Sequence, residues 1–146
     1  YARLFQSGWL SRERYFDYIR SHYFKFYSVP NWLAHMRKHY DFSFGTRFHG
    51  NMAAFMAGVP ALWLSHDMRT KELCEHLSLP VIDHDRLKDF KTVSDLATEC
   101  SFDAFWEQFP QRLMEFRNYL DHNGVSPMLK PDFLAASSAI ITPRQS

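Results

Sequence analysis

The 146 residues, 46% hydrophobic and 23% charged, are enough to bury a core of their own, so the chain reads as one ordinary domain, neither a disordered tail nor a mini-protein. A formal net charge of +1, without a run of like charges, gives no field that would draw nucleic acid. Cys74 and Cys100 show no zinc spacing and fit a reducing, cytoplasmic setting, and no apolar run approaches the roughly 18 residues of a membrane span.

The stretch 1–40 holds twelve aromatic residues, more than one face of an amphipathic helix requires. It serves either as an aromatic core or as a surface that covers another domain or subunit. Ser11 is placed to cap a helix running to Tyr27, with Phe16, Ile19, Tyr23 and Phe26 forming its apolar stripe. Ser28-Val29-Pro30-Asn31 breaks it, and a second helix follows with Asn31 as cap. Leu33, Met36 and Tyr40 lie on one side of that helix, with Arg37 and Lys38 toward solvent.

From residue 41 the pattern changes to strand (41–45), helix (49–57) and strand (60–65), with Gly58 as the left-handed cap of the helix. A further helix over 68–78 and a short strand over 79–82 repeat the unit in type. Alternation of this kind predicts an α/β domain with an open parallel sheet over residues 41–125. A long helix over 101–122 closes it, with Pro110 expected to kink or split the helix and Asn123-Gly124 to end it. Residues 126–146 read as a tail.

In such a sheet, ligands bind beyond the carboxyl ends of the strands, where helix N-termini present free amides. The first loop there is Gly45-Thr46-Arg47-Phe48-His49-Gly50-Asn51. Its glycines let backbone approach a ligand, Arg47 offers a fork matched to phosphate or carboxylate, and His49 sits at the positive end of a helix. The second loop, Ser65-His66-Asp67-Met68-Arg69-Thr70-Lys71, adds cationic charge, with Thr70 able to cap the helix or donate to an oxyanion. If the two strands are neighbours, both loops face one crevice suited to a small, strongly anionic ligand. A structural reading stands beside this one: His49 as a cap or packing residue, Arg47 as a partner for Asp41 or Asp67. Asn51-Met52 stands where a P-loop requires Lys and Ser or Thr, and no dinucleotide fingerprint is present. His35 and His39, four apart, read as surface histidines without a third metal ligand.

The stretch from Tyr40 through Gly45-Thr46-Arg47-Phe48-His49-Gly50 to Ala57-Gly58-Val59-Pro60, continuing through Asp67, Arg69 and Thr70 to Leu79-Pro80, resembles the polysaccharide pyruvyl transferase family. The resemblance implies a Rossmann-like parallel-sheet domain, the C-terminal half of a two-domain GT-B-like fold, with the aromatic-rich helices as an addition. A chain opening at Tyr1 would then lack its N-terminal domain. The implied reaction moves a pyruvyl group from phosphoenolpyruvate onto two hydroxyls of a sugar or lipid-linked oligosaccharide acceptor as a cyclic ketal. It needs no metal or organic cofactor. His49 matches the motif histidine, expected as the catalytic acid, and Arg47 the motif arginine, expected to bind the donor. Gly45, Thr46, Gly50, Asn51, His66, Asp67, Arg69 and Thr70 complete the expected substrate-binding set. The setting is cytoplasmic, with a peripheral seat on the inner face of the membrane and a homo-oligomer both left open. Two alternatives remain: a sugar-nucleotide glycosyltransferase half of the same architecture, with Asp67 or Glu72 on the ribose, and a non-catalytic interaction module.

Overall fold

The computed structural model describes residues 11–125 together with Asp132. The expected tail over 126–146 therefore lies, Asp132 apart, outside the described residues.

Helix α1 (Arg12–His22) starts where expected, with the Ser11 hydroxyl accepting the Arg14 amide at 3.2 Å. It stops five residues before Tyr27, because Tyr23 turns to extended backbone. The aromatic run beyond it follows a period of two rather than 3.6. Phe24 and Phe26 both meet His35, their rings 4.6 and 5.0 Å from its own, while Tyr27 is 89% exposed. Helix α2 (Val29–His39) is capped at Ser28, not Asn31, and Pro30 falls in its first turn, where a missing amide costs nothing. His35 is not a surface residue. It is packed by Phe24, Phe26, His39 and Tyr40, and its Nε2 is buried without a partner. Arg37 is exposed, yet its Nε reaches over to donate to the Ala57 carbonyl at 3.1 Å, which holds α2 against the end of the next helix.

Three parallel strands follow, β1 (Ser43–Gly45), β2 (Ala61–Ser65) and β3 (Val81–Asp83), in the order β1-β2-β3. Ser43 is level with Ala61 and Trp63 with Val81. The crossovers are α3 (Phe48–Met56) and α4 (Met68–Leu77). Gly58, at φ +79°, ends α3 as expected: its amide goes back to Phe55 and that of Val59 to Ala54. The same pair of bonds ends α4 around Ser78, which takes the left-handed conformation without being glycine.

Strand β2 is buried along its whole length, as the middle strand of a parallel sheet covered on both faces should be. Ala61 and Trp63 point to one face, where Ala54 of α3 and Cys74 of α4 meet them, so both crossover helices lie on that side. Leu33 and Met36 of α2 and Phe102 and Phe105 pack onto the same cluster. Leu62 and Leu64 point to the opposite face, where Ile82 and Leu96 join them. That face is covered by two short elements that the sequence reading left unassigned: a 3-10 helix (His84–Asp89) and α5 (Val93–Ala97), the latter closed by a reciprocal Thr92–Asp95 capping box. The final helix α6 (Asp103–His122) runs through Pro110 without being split. Its start is fixed by ring packing, with Phe102 stacked on Phe55 at 4.8 Å and Phe105 edge-on to it at 5.0 Å.

Candidate active site

Parallel strands put all their carboxyl ends on one edge, so the loops after β1, β2 and β3 emerge side by side. The first of these is fixed from beneath. Asn51, 3% exposed on α3, donates from its amide nitrogen to the carbonyls of Gly45 (3.0 Å) and Leu62 (3.1 Å) and accepts from Ser43 Oγ (2.9 Å). Those bonds clamp the end of β1 to β2. The indole of the fully buried Trp63 adds a hydrogen bond to the Phe48 carbonyl at 3.3 Å, which seats the first residue of α3 on the sheet. Asn51 was expected at the ligand; its polar atoms are spent inside the fold, and it acts instead as a positioning residue for the loop above it.

Arg47 occupies the N-cap of α3 and makes no capping bond with its side chain. A guanidinium cannot accept one. Its carbonyl takes the amides of both Gly50 (3.1 Å) and Asn51 (3.3 Å). The Gly50 amide is therefore committed to that carbonyl. The amides of Phe48 and His49, in the first turn of the helix, are the ones that point outward along its axis. Both Arg47 and His49 are exposed at this edge.

The second loop is shaped by Asp67, which caps α4 by accepting the Thr70 amide at 2.7 Å. Thr70, expected to cap the helix or donate to an oxyanion, is the residue being capped. It is 7% exposed, and its hydroxyl also bonds the Asp67 carboxylate. These two bonds to Thr70, with His66 and Arg69 nearby, hold the Asp67 carboxyl below the usual carboxylate range. His66 Nε2 lies 3.1 Å from Asp67 Oδ2, so the carboxylate also orients the imidazole.

The two loops meet. Thr46, Arg47 and His49 from the first and His66, Asp67, Arg69 and Thr70 from the second line one cleft of about 500 Å³. Gly45, Gly50 and Asn51 do not reach it. With Trp32 and Met36 of α2 they border a separate hollow of about 310 Å³ that shares only Thr46 and Arg47 with the main cleft. A Cβ on Gly45 would meet nothing within 4 Å, so internal packing does not demand glycine there.

A third group of residues at this edge escaped the sequence reading. Asp83, the last residue of β3, accepts from Ser65 Oγ at 2.8 Å and from Lys71 Nζ at 3.2 Å, which together hold its carboxyl below the ordinary range. Lys71 is thus turned away from the first cleft. It lines a second one of about 520 Å³ with Ser65, Asp83, Asp85 and Arg86, and His66 and Asp67 border both. The rule applied to the first two strands, that the residue leaving the carboxyl end faces the ligand edge, would have found Asp83 had it been applied to the third. Among the described residues no group of three metal-ligating side chains gathers, and no helix is long and apolar enough to cross a membrane.

Comparison with known proteins agrees with the central motif and extends it toward the N-terminus. The family model for polysaccharide pyruvyl transferase matches residues 5–68, which takes in the aromatic helices, β1, the Arg47–His49 loop, α3 and β2, and stops at the first residue of α4. No curated protein and no solved structure matches the chain. Over residues 5–68, which include one whole wall of the cleft, the chain is similar to polysaccharide pyruvyl transferases.

Proposed function

We propose that the chain carries the donor-binding side of an enzyme that transfers a pyruvyl group from phosphoenolpyruvate to two hydroxyls of a sugar in a cell-surface polysaccharide precursor. The Rossmann-like sheet would be the C-terminal half of a two-domain GT-B-like protein, acting in the cytoplasm. The single observation that carries this reading is the cleft in which Arg47 and His49 from one loop face His66, Asp67 and Arg69 from the next.

The cleft has two arginines against one carboxylate, plus the N-terminal end of α3, a balance that favours a compact anion bearing phosphate and carboxylate. Arg47 is the donor clamp because its guanidinium is exposed and its backbone fixes it at the helix start. The chemistry then needs one proton at carbon 3 of the enol and a positive centre at carbon 2. His49 gives its proton to carbon 3 as a sugar hydroxyl oxygen bonds to carbon 2, the double-bond pair becoming the new C–H bond. Phosphate leaves with the C–O pair, and a second hydroxyl attacks the oxocarbenium carbon to close the ketal. Its proton returns to His49, and the proton of the first hydroxyl departs with phosphate.

Isothermal titration of phosphoenolpyruvate into the chain tests the donor assignment. Saturable binding, weakened at least tenfold by Arg47→Ala, is expected from the loss of a charge-assisted, two-pronged contact. Binding that Arg47→Ala leaves unchanged would remove the donor from this cleft.

A further inference from the structure

His66 stands between two sets of charges and has one ring nitrogen to spare. Its Nε2 lies 3.1 Å from Asp67 Oδ2, and its Nδ1 has no partner among the described residues. Asp67 is a fixed and fully charged neighbour, since its bonds to Thr70, the amide at 2.7 Å among them, keep its carboxyl below the usual range. On one side His66 shares the first cleft with Arg47, His49 and Arg69. On the other it borders the hollow after β3, where the charges are matched among themselves. There Lys71 meets Asp83 at 3.2 Å, Arg86 meets Glu99 at 3.6 Å and His84 meets Asp85 at 3.8 Å. The balance at His66 is therefore set by Asp67, which favours a positive ring, and by Arg47 and Arg69, which oppose it. A bound anion tips that balance, because it neutralises the arginines and offers the ring a second negative partner. An imidazole flanked by a carboxylate and an anion is held in its charged form, the only one that donates from both nitrogens.

We propose that His66 takes up a proton when an anion enters the first cleft, and that in the transfer reaction it is the proton carrier for the departing phosphate. The second part rests on the donor reading above; the uptake itself is a property of the cleft toward any dianion. In the reaction, the imidazolium proton passes to a phosphate oxygen and readies that group to leave. The freed ring then takes the proton of the first sugar hydroxyl as its oxygen bonds to carbon 2. The C–O bond breaks, and phosphate carries off the electron pair with the proton it was given. On balance one hydroxyl proton leaves with phosphate, and His66 ends as it began.

Isothermal titration of the full chain with phosphoenolpyruvate and, separately, with sulfate tests the proposal, each in buffers of different ionisation heat at about pH 7.5. The dependence of the apparent enthalpy on buffer heat counts the protons taken up. Sulfate has no proton of its own to exchange near neutral pH, so any uptake with it belongs to the protein. Uptake is expected with both anions, and His66→Gln should lower it by about half or more. Wild-type affinity for sulfate should fall as pH rises from 6 to 8, and that of His66→Gln should change less. Asp67→Asn still caps α4 but carries no charge, and it should lower the uptake likewise. Thermal unfolding of both variants shows that they fold. Phosphoenolpyruvate that binds without uptake, or with an uptake that His66→Gln leaves intact, would overturn the role of His66 and leave the donor reading standing. An uptake lost in His66→Gln and kept in Asp67→Asn would overturn Asp67 as its cause. Sulfate binding with a His66-dependent uptake, where phosphoenolpyruvate does not bind, would keep the proton site and remove the donor. Failure of both anions to bind would remove the two readings together.

Discussion

At the scale of single residues, the motif divides into side chains that face the cleft and side chains that hold the loop in place. Arg47 and His49 are of the first kind and Asn51 of the second, although all three sit within five positions. The sequence could not separate them, because a polar residue in a glycine-rich loop looks the same whether its partner is a ligand or the strand beneath. Three hydrogen bonds decide it: replacing Asn51 by alanine removes the partner of the buried Leu62 carbonyl, of the half-buried Gly45 carbonyl and of the Ser43 hydroxyl. Asn51→Ala should cost roughly 2–4 kcal/mol in urea unfolding, as the loss of a buried hydrogen-bonded amide does. A cost below about 0.5 kcal/mol would mean that the amide is not the strut described. Arg47→Ala, by contrast, removes an exposed side chain and should leave stability nearly unchanged while it weakens the donor.

At the scale of elements, strands and crossover helices were legible because glycine and proline punctuate them: Gly58 ends α3 at its expected place, and Val59-Pro60 lead into β2. Two kinds of element were not. The run Tyr23 to Tyr27 carries apolar residues compatible with either a helical or an extended period, and only packing of Phe24 and Phe26 against His35 selects the extended one. The cover of the second sheet face is made of pieces six and five residues long, too short for any periodicity to register. Pro110 was expected to kink or split the helix, and α6 is not split: it runs on past Pro110, with ring contacts around Phe55 at its start. A proline inside a helix removes a backbone bond and crowds the preceding turn. Pro110→Ala is therefore expected to raise stability by about 1–3 kcal/mol, less than the full helix-interior penalty because Pro110 is itself partly buried. A decrease in the unfolding midpoint would show that the ring's packing outweighs the lost bond.

At the scale of the whole molecule, the depressed and raised groups bracket a window of stability. The Asp67, Asp83 and Asp95 carboxyls are held below their ordinary value of 3.8 by hydrogen bonds that exist only in the fold. Their contribution is present above pH 3.8 and is lost as pH falls through the lower folded values. On the alkaline side, burial pushes the Cys74 thiol from 9.0 up to about 12. An unfolded chain releases that proton above pH 9 while the folded one keeps it, so stability falls as pH rises from 9 toward 12. Thermal unfolding followed from pH 3 to 11 should show a plateau with both limbs, and Cys74→Ala should flatten the alkaline one. A Cys74→Ala profile that keeps the full alkaline limb would assign that limb to another group.

The wall between the two clefts carries one further consequence. His66 and Asp67 border both spaces, and one imidazole can turn toward only one of them at a time. Any ligand that recruits or repels His66 on one side alters what the other side offers, and thermodynamic reciprocity makes that influence equal in both directions.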